Sequence, residues 1–130
     1  MPGKTGLHHV EIWVAELGTS WPWMLERLGF SLSAAWDGVQ TWDAGGAYIT
    51  LTASPNMTDA AHDRRRAGVN HLAFRGGSRA DVDVLMQTAP AHGWVPLYQD
   101  RYPHAGGPDH YAGWMENADG FKVEIVAESV

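Results

Sequence analysis

The chain has 130 residues, with 15 acidic and 9 basic side chains, seven His, seven Trp and no Cys, and a formal net charge of -6. This length suits one domain around a single core. An acidic surplus without a broad basic face argues against nucleic acid as a partner, and no apolar run reaches the roughly 20 residues of a membrane span, so we expect a cytoplasmic protein. Because Cys is absent, any metal site must be built from His and carboxylate side chains.

The first half of the chain predicts a strand, a helix and three more strands. Residues 7–14 alternate with the two-residue period of a strand, which places His9, Glu11 and Trp13 on one face. A capping residue and an early Pro predict a short helix over residues 20–28. Three apolar segments separated by hairpin-turn pairs predict strands near residues 30–36, 39–43 and 47–52.

The second half repeats this order after a polar connecting loop at residues 54–68. A strand at residues 68–74 carries His71 opposite its apolar side chains, and Ser78 with Asp81 has the spacing of a capping box that opens a helix. The rest is predicted as three strands, at residues 94–98, 111–116 and 121–127, and a long polar loop at residues 99–110. A repeat at a period of about 60 residues indicates an internal duplication.

Three polar side chains lie at the centre of apolar strands: His9, His71 and Glu124. Such positions are costly unless the side chains face a cavity or bind a ligand. Two neutral imidazoles and one carboxylate make a sufficient ligand set for a divalent cation, and they leave positions for water or substrate. Without thiolate, the set favours Mn, Fe, Co, Ni or Zn without choosing among them.

The motifs LHHVEIWV, SWPWMLERLGF, GVNHLAF and ENADGFKVEIVA resemble the vicinal oxygen chelate superfamily over essentially the whole chain. That superfamily includes glyoxalase I, fosfomycin-resistance proteins, extradiol dioxygenases and bleomycin-resistance proteins. The resemblance implies an α+β fold in which two paired βαβββ modules curl into a half-barrel cavity. It also implies that His9, His71 and Glu124 are the metal ligands. The chain is then one domain of residues 1–130, with module 1 at about 5–53, a linker at 54–68 and module 2 at about 69–128.

The sequence departs from individual branches of the superfamily. Glyoxalase I enzymes carry a further Glu where this chain reads YITLT, with Thr50 at the matching position, which argues against glyoxalase I activity. The dioxygenase branch uses an additional His and Tyr, for which His104, His110 and Tyr111 are the candidates. Glu11 lies on the same strand face as His9 and is either a general base, with its pKa raised by desolvation, or a partner of a neighbouring strand or subunit.

The seven Trp either crowd the core or line a concave ligand site. Those of the first helix, Trp21 and Trp23, are expected to pack helix against sheet. Trp13 shares the face of His9, whereas the strand pattern does not fix which way the other strand Trp point. The candidate ligand-binding residues are therefore Trp13, Trp36, Trp42, Thr50, His104, His110, Tyr111 and Trp114.

Two functions follow from these features. The first is a divalent-metal-dependent enzyme acting on a small oxygen-rich or aromatic metabolite, with Glu11 as the catalytic residue. The second is a non-catalytic protein that sequesters an antibiotic by stacking an aromatic natural product against Trp. The resemblance implies a homodimer in either case, in which His9 of one chain would join His71 and Glu124 of the other; the sequence leaves open whether the modules close within one chain or between chains.

Overall fold

A computed structural model describes residues 5–128. The first module contains one helix and four strands: β1 (His9–Trp13), α1 (Ser20–Arg27), β2 (Ser31–Trp36), β3 (Val39–Asp43) and β4 (Tyr48–Thr52). The second module contains β5 (Leu72–Arg75), α2 (Arg79–Thr88), β6 (Trp94–Leu97), β7 (Ala112–Asn117) and β8 (Lys122–Val126). Two 3₁₀ turns, Ala89–His92 and Gln99–Arg101, flank β6.

Each module forms its own four-stranded mixed sheet. Sheet 1 has the order β1-β4-β3-β2 and sheet 2 the order β5-β8-β7-β6. In both, the first strand of the module runs parallel to the last, and the remaining pairs are antiparallel. The same order in both sheets confirms the predicted α+β fold of paired βαβββ modules.

The two helices follow from their local sequences. In α1 the apolar residues Trp21, Met24 and Leu25 are spaced to share one side, and all three are buried. In α2 the predicted capping box is present, since the Ser78 side chain accepts from the Asp81 backbone N–H and Asp81 in turn accepts from the backbone N–H of Ser78. This reciprocal pair satisfies two N–H groups that a helix start leaves free.

Trp94 joins the two modules in one core. Its side chain is fully buried, and its indole Nε1 donates to the Ser20 carbonyl oxygen at 2.9 Å, across the module boundary. Its ring meets Trp21 of α1 edge to face, with centroids 5.2 Å apart. Truncation of a buried Trp to Ala typically costs about 3–5 kcal/mol, so this contact is a main connection between the modules.

The structure corrects one candidate ligand-binding residue and shortens some strands. Trp42 pairs with Ile49 across β3 and β4, so both side chains lie on the core side of sheet 1, and Trp42 is only 4% exposed. It is a core residue, not part of a ligand wall.

The first strand spans five residues instead of the predicted eight, and β5 begins after His71. Among residues 5–128, no helix has the length and apolar character needed to cross a membrane.

Candidate functional site

The distal face of sheet 1, meaning the side turned away from the core, carries the polar set predicted from alternation. Strand register places Glu11 beside Thr50 and Thr50 beside Thr41, so these side chains share one face. A second row of cross-strand neighbours on the same face includes one residue from each of the four strands. These residues are Trp13, Thr52, Val39 and Trp36. Its terminal Trp13 and Trp36 are 43% and 60% exposed.

His9 and Glu11 are exposed on this face. The His9 ring stacks on Tyr48 with centroids 4.7 Å apart, and its Nδ1 lies 2.8 Å from His8 Nδ1. Glu11 accepts from Trp13 Nε1 at 2.7 Å and from Thr52 Oγ1 at 3.1 Å. Within one chain, Glu11 therefore has hydrogen-bond partners and contact with solvent, in contrast to the desolvated setting predicted for a general base.

Thr50, the residue at the position of the glyoxalase I glutamate, is 8% exposed. Its hydroxyl lies 3.2 Å from the Thr41 hydroxyl. The two hydroxyls hydrogen-bond each other, and the pair contributes no carboxylate to the face.

The distal face of sheet 2 carries a carboxylate between two imidazoles. The Glu124 side chain is 10% exposed, and its Oε1 lies 3.0 Å from His71 Nε2. Its Oε2 lies 2.5 Å from His110 Nε2. Since a carboxylate only accepts, both imidazoles donate to it, and hydrogen bonds of this charged type are stronger than neutral ones. The structure thus brings together two residues predicted as metal ligands, His71 and Glu124, and places His110, a predicted ligand-binding residue, against the same carboxylate.

The loop before β7 holds His110 against Glu124. Two backbone turns shape it: the N–H of Gly107 donates to the carbonyl oxygen of His104, and the N–H of His110 donates to the carbonyl oxygen of Gly107. Gly106 packs so closely that a Cβ there would lie 2.7 Å from the His110 ring and 2.9 Å from the ring of Trp114. Only glycine allows the loop this close to the sheet.

The remaining candidates lie at different distances from this cluster. Trp114 is opposite Glu124 in the register, 8% exposed, and its ring centroid is 6.0 Å from that of His110. His104 packs edge to face on Tyr111, whose hydroxyl donates to Asp83 of α2 at 2.6 Å. Tyr111 therefore anchors the loop to the helix.

Sequence reasoning missed a second polar pair on this sheet, Tyr98 and Lys122. The Lys122 ammonium donates to the Tyr98 hydroxyl at 2.8 Å. Tyr98 lies outside every strand, and its backbone is left-handed, with φ 59° and ψ 34°. The only sequence signal was a charged residue at the start of an apolar strand, on the same face as Glu124 two residues later.

A cavity of about 350 Å³ lies between β1 and the starts of β5 and β8. Its walls include Glu11, Trp13, Trp21, His71, Phe121 and Lys122. Charged and aromatic side chains of both modules therefore meet around one space that a small molecule can enter.

Within one chain, the side chains supply only part of a ligand set for a divalent metal. His71 and Glu124 supply the imidazole nitrogen and carboxylate oxygen that such ions accept. His9 instead contacts His8 and Tyr48. Within residues 5–128 of a single chain, no group of three or more His, Asp or Glu side chains is arranged to hold a metal ion.

Comparison with known proteins places the chain in a family. A model of the Glyoxalase/Bleomycin resistance protein/Dioxygenase superfamily matches residues 6–125. The uncharacterized protein YqjT of Bacillus subtilis strain 168 is 37% identical over 127 residues, which cover 95% of this chain and 99% of that protein.

Solved structures agree with this assignment. A candidate glyoxalase from Bacillus halodurans superposes with a TM-score of 0.86 at 40% identity, over 94% of this chain and 95% of that one. A mutant of the fosfomycin resistance protein FosX from Listeria monocytogenes, solved with Mn(II) and 1S,2S-dihydroxypropylphosphonic acid, shares the fold at a TM-score of 0.69 and 16% identity, over 98% of this chain and 94% of that one. As the sequence motifs predicted, the chain belongs to the glyoxalase, bleomycin resistance protein and dioxygenase superfamily, whose fold is that of the vicinal oxygen chelate proteins.

Proposed function

We propose that the protein is a divalent-metal-dependent enzyme acting on a small oxygen-rich or aromatic metabolite. The observation that carries this proposal is the buried Glu124 carboxylate with two imidazole Nε2 atoms directed at it. Buried carboxylates are retained where they are paired or bind a cation, and this donor set is suited to a divalent ion. The mixed polar and aromatic cavity beside His71 is large enough for a small metabolite.

We assign the metal to His71 and Glu124 of one chain and His9 of a second copy. A bound divalent ion supplies Lewis acidity toward a substrate oxygen. His110 orients the Glu124 carboxylate and is within hydrogen-bond reach of it, so it can hold a proton next to the reacting group. Trp114 lies opposite Glu124 across β7 and β8 and is itself buried, so we expect it to limit the access of water to this position. Thr50 offers no acidic group, so we expect no glyoxalase I activity.

The proposed homodimer explains why the distal face of sheet 1 is open in one chain. His9, Glu11, Trp13 and Trp36 are all exposed there, and β2 is exposed along its whole length. Large exposed apolar side chains on one sheet face are typical of a surface that another chain covers. Burial in the dimer would also desolvate Glu11, which is the setting that a general base requires.

Metal analysis tests this proposal. We expect the wild-type protein, purified without added metal and then incubated with Mn, Fe, Co, Ni or Zn, to retain about one divalent ion per chain by elemental analysis. The His71→Ala and Glu124→Gln variants should lose it, whereas the His104→Ala control should keep it, because His104 does not contact Glu124. A wild-type protein that retains no stoichiometric ion would contradict the proposal.

A second function, sequestration of an aromatic antibiotic without catalysis, is favoured by the exposed Trp13 and Trp36 at the two ends of one row. Flat aromatic ligands stack on such rings. Titration with a panel of polycyclic antibiotics, followed by tryptophan fluorescence, separates the two functions. Quenching that the Trp13→Ala and Trp36→Ala variants abolish would support sequestration, and the absence of quenching across the panel would contradict it.

A further inference from the structure

Lys122 is a buried cation without a carboxylate partner among residues 5–128. The residue is only 9% exposed, and its ammonium donates to the neutral hydroxyl of Tyr98. Its cross-strand neighbour Glu116 is engaged elsewhere, since Arg64 donates to it through Nε and Nη2, both at 3.0 Å. A charge removed from water is costly unless an opposite charge or several hydrogen bonds compensate it. A Lys ammonium has three donors, and the phenol uses one of them.

The surroundings of the Tyr98 hydroxyl are also positive. Arg101 lies over its ring, with the guanidinium carbon 5.2 Å from the centroid. The pKa of Tyr98 lies below its ordinary value, mainly because Lys122 donates to the hydroxyl, and the charges of Lys122, Arg64 and Arg101 act in the same direction. In a protein with a net charge of -6, this corner of the distal face of sheet 2 therefore favours negative charge.

The backbone of Tyr98 supports a functional role for the pair. A left-handed conformation is costly for a residue other than glycine, and such residues concentrate at binding and catalytic sites. Here the conformation ends β6 and turns the chain so that the hydroxyl reaches Lys122 on β8, two strands away. The strained residue and the buried cation thus meet at one point.

The cavity adjoins this pair on one side. Lys122 and His71 are both among its lining residues, so the cationic residue and the expected metal ligand border the same space. A ligand that occupies the cavity therefore lies next to Lys122.

We propose that Lys122 and Tyr98 form an oxyanion subsite, which binds a carboxylate or phosphate group of the substrate. The free donors of the ammonium and the phenol hydroxyl would share the anionic oxygens, and the rest of the molecule would extend toward Glu124, two residues along β8. That the anion belongs to the substrate rests on the proposed enzymatic function; the binding of the anion itself does not.

Calorimetric titration of the EDTA-treated full-length protein tests the subsite. Inorganic phosphate is the first probe, and malonate is the second, so that the tighter of the two identifies the class of anion. We expect Lys122→Met to weaken binding about 10- to 100-fold, because a charge-assisted hydrogen bond is lost, and Tyr98→Phe to weaken it about 2- to 10-fold. The control Arg65→Met removes an exposed positive charge of the linker and should leave the affinity unchanged.

The outcomes separate this inference from the proposed function. The subsite is overturned if the wild-type protein binds neither phosphate nor malonate, or if wild type, Lys122→Met and Tyr98→Phe bind the anion with equal affinity. If Lys122→Met fails to fold by circular dichroism, Tyr98→Phe, which removes a single oxygen, decides. The titration contains no metal, so its result does not depend on the metal test. If the protein retains no metal but binds phosphate or malonate, the metal-dependent function is contradicted and the oxyanion subsite is retained.

Discussion

At the scale of the residue, Asp83 shows how one carboxylate can position a loop. The hydroxyls of Tyr102 and Tyr111 both donate to it, so the two ends of the segment that contains His110 are tied to α2. These hydrogen bonds, that of Tyr102 first, hold the pKa of Asp83 below its ordinary value. Both phenols have a raised pKa. Burial is the main reason for Tyr102, followed by its hydrogen bond to Asp83, and the hydrogen bond to Asp83 is the main reason for Tyr111.

We predict that Asp83→Asn lowers the free energy of unfolding at pH 7 and that this difference shrinks in acid. A carboxyl whose pKa is depressed in the folded state stabilises that state above its unfolded pKa, near 3.8, and loses this contribution as the pH falls through the folded value. Urea unfolding of both proteins at pH 7 and pH 3 measures the effect. A difference that stays constant between these pH values would contradict the role of the charged carboxylate.

The residue scale also shows how far the sequence predicts the site. Alternation places Glu11 beside His9 and places Glu124 at the centre of its strand, because side-chain direction in a strand depends only on position. The contact of His110 with Glu124 depends on the path of the long connection between β6 and β7, and the Tyr98 contact depends on a left-handed backbone outside any strand. Neither geometry has a period that a sequence could show.

At the scale of the element, the β7–β8 hairpin connects the linker to sheet 2. The Asn117 side-chain oxygen accepts from the backbone N–H groups of Asp119 and Phe121 and fixes the turn. Gly120 follows with φ +87°, directly against the carbonyl oxygen of His62 in the linker. His62 in turn stacks on Phe121, with centroids 4.6 Å apart. The turn therefore fixes the linker segment that forms one wall of the cavity.

We predict that Gly120→Ala lowers the free energy of unfolding by about 1–3 kcal/mol, since a Cβ adds both backbone strain and a collision with the linker backbone. Gly46→Ala is the matched control: it lies in another turn, has nothing within 4 Å of a Cβ, and is expected to change stability by less than about 0.5 kcal/mol. Equal stability of the two variants in denaturant unfolding would show that the linker can move away from the turn.

The positions of helices and strands were easier to predict than their end residues or the sheet face on which a given side chain lies. The capping box of α2 and the alternation of the strands are local signals, and α2 begins where its capping box places it. Helix α1 also begins at Ser20 as predicted, but Thr19 at its N-cap makes no side-chain hydrogen bond to the helix. The core position of Trp42 could not be predicted, because it depends on the pairing of β3 with β4. A one-residue change of register moves a side chain to the opposite face, and no residue of β3 alone specifies that register.

At the scale of the whole molecule, the two modules offer complementary halves of one proposed site. Module 1 presents His9 on an exposed sheet face, and module 2 presents His71 beside the cavity, with Glu124 in contact with it. In a two-fold symmetric dimer each chain contributes both halves, so two equivalent sites form at one interface. This arrangement agrees with the lack of a three-ligand cluster within residues 5–128 of one chain.

Subunit mixing tests this arrangement. The His9→Ala and His71→Ala variants should each bind no metal, but a mixture refolded together should recover about a quarter of the wild-type metal content, because half of the dimers are mixed and one of their two sites keeps all ligands. Sedimentation analysis establishes that each sample is dimeric, and a mixture of His71→Ala with Glu124→Gln is the control, since both changes affect the same half and no complete site can form. If a sample that contains mixed dimers recovers no metal, the ligands come from one chain.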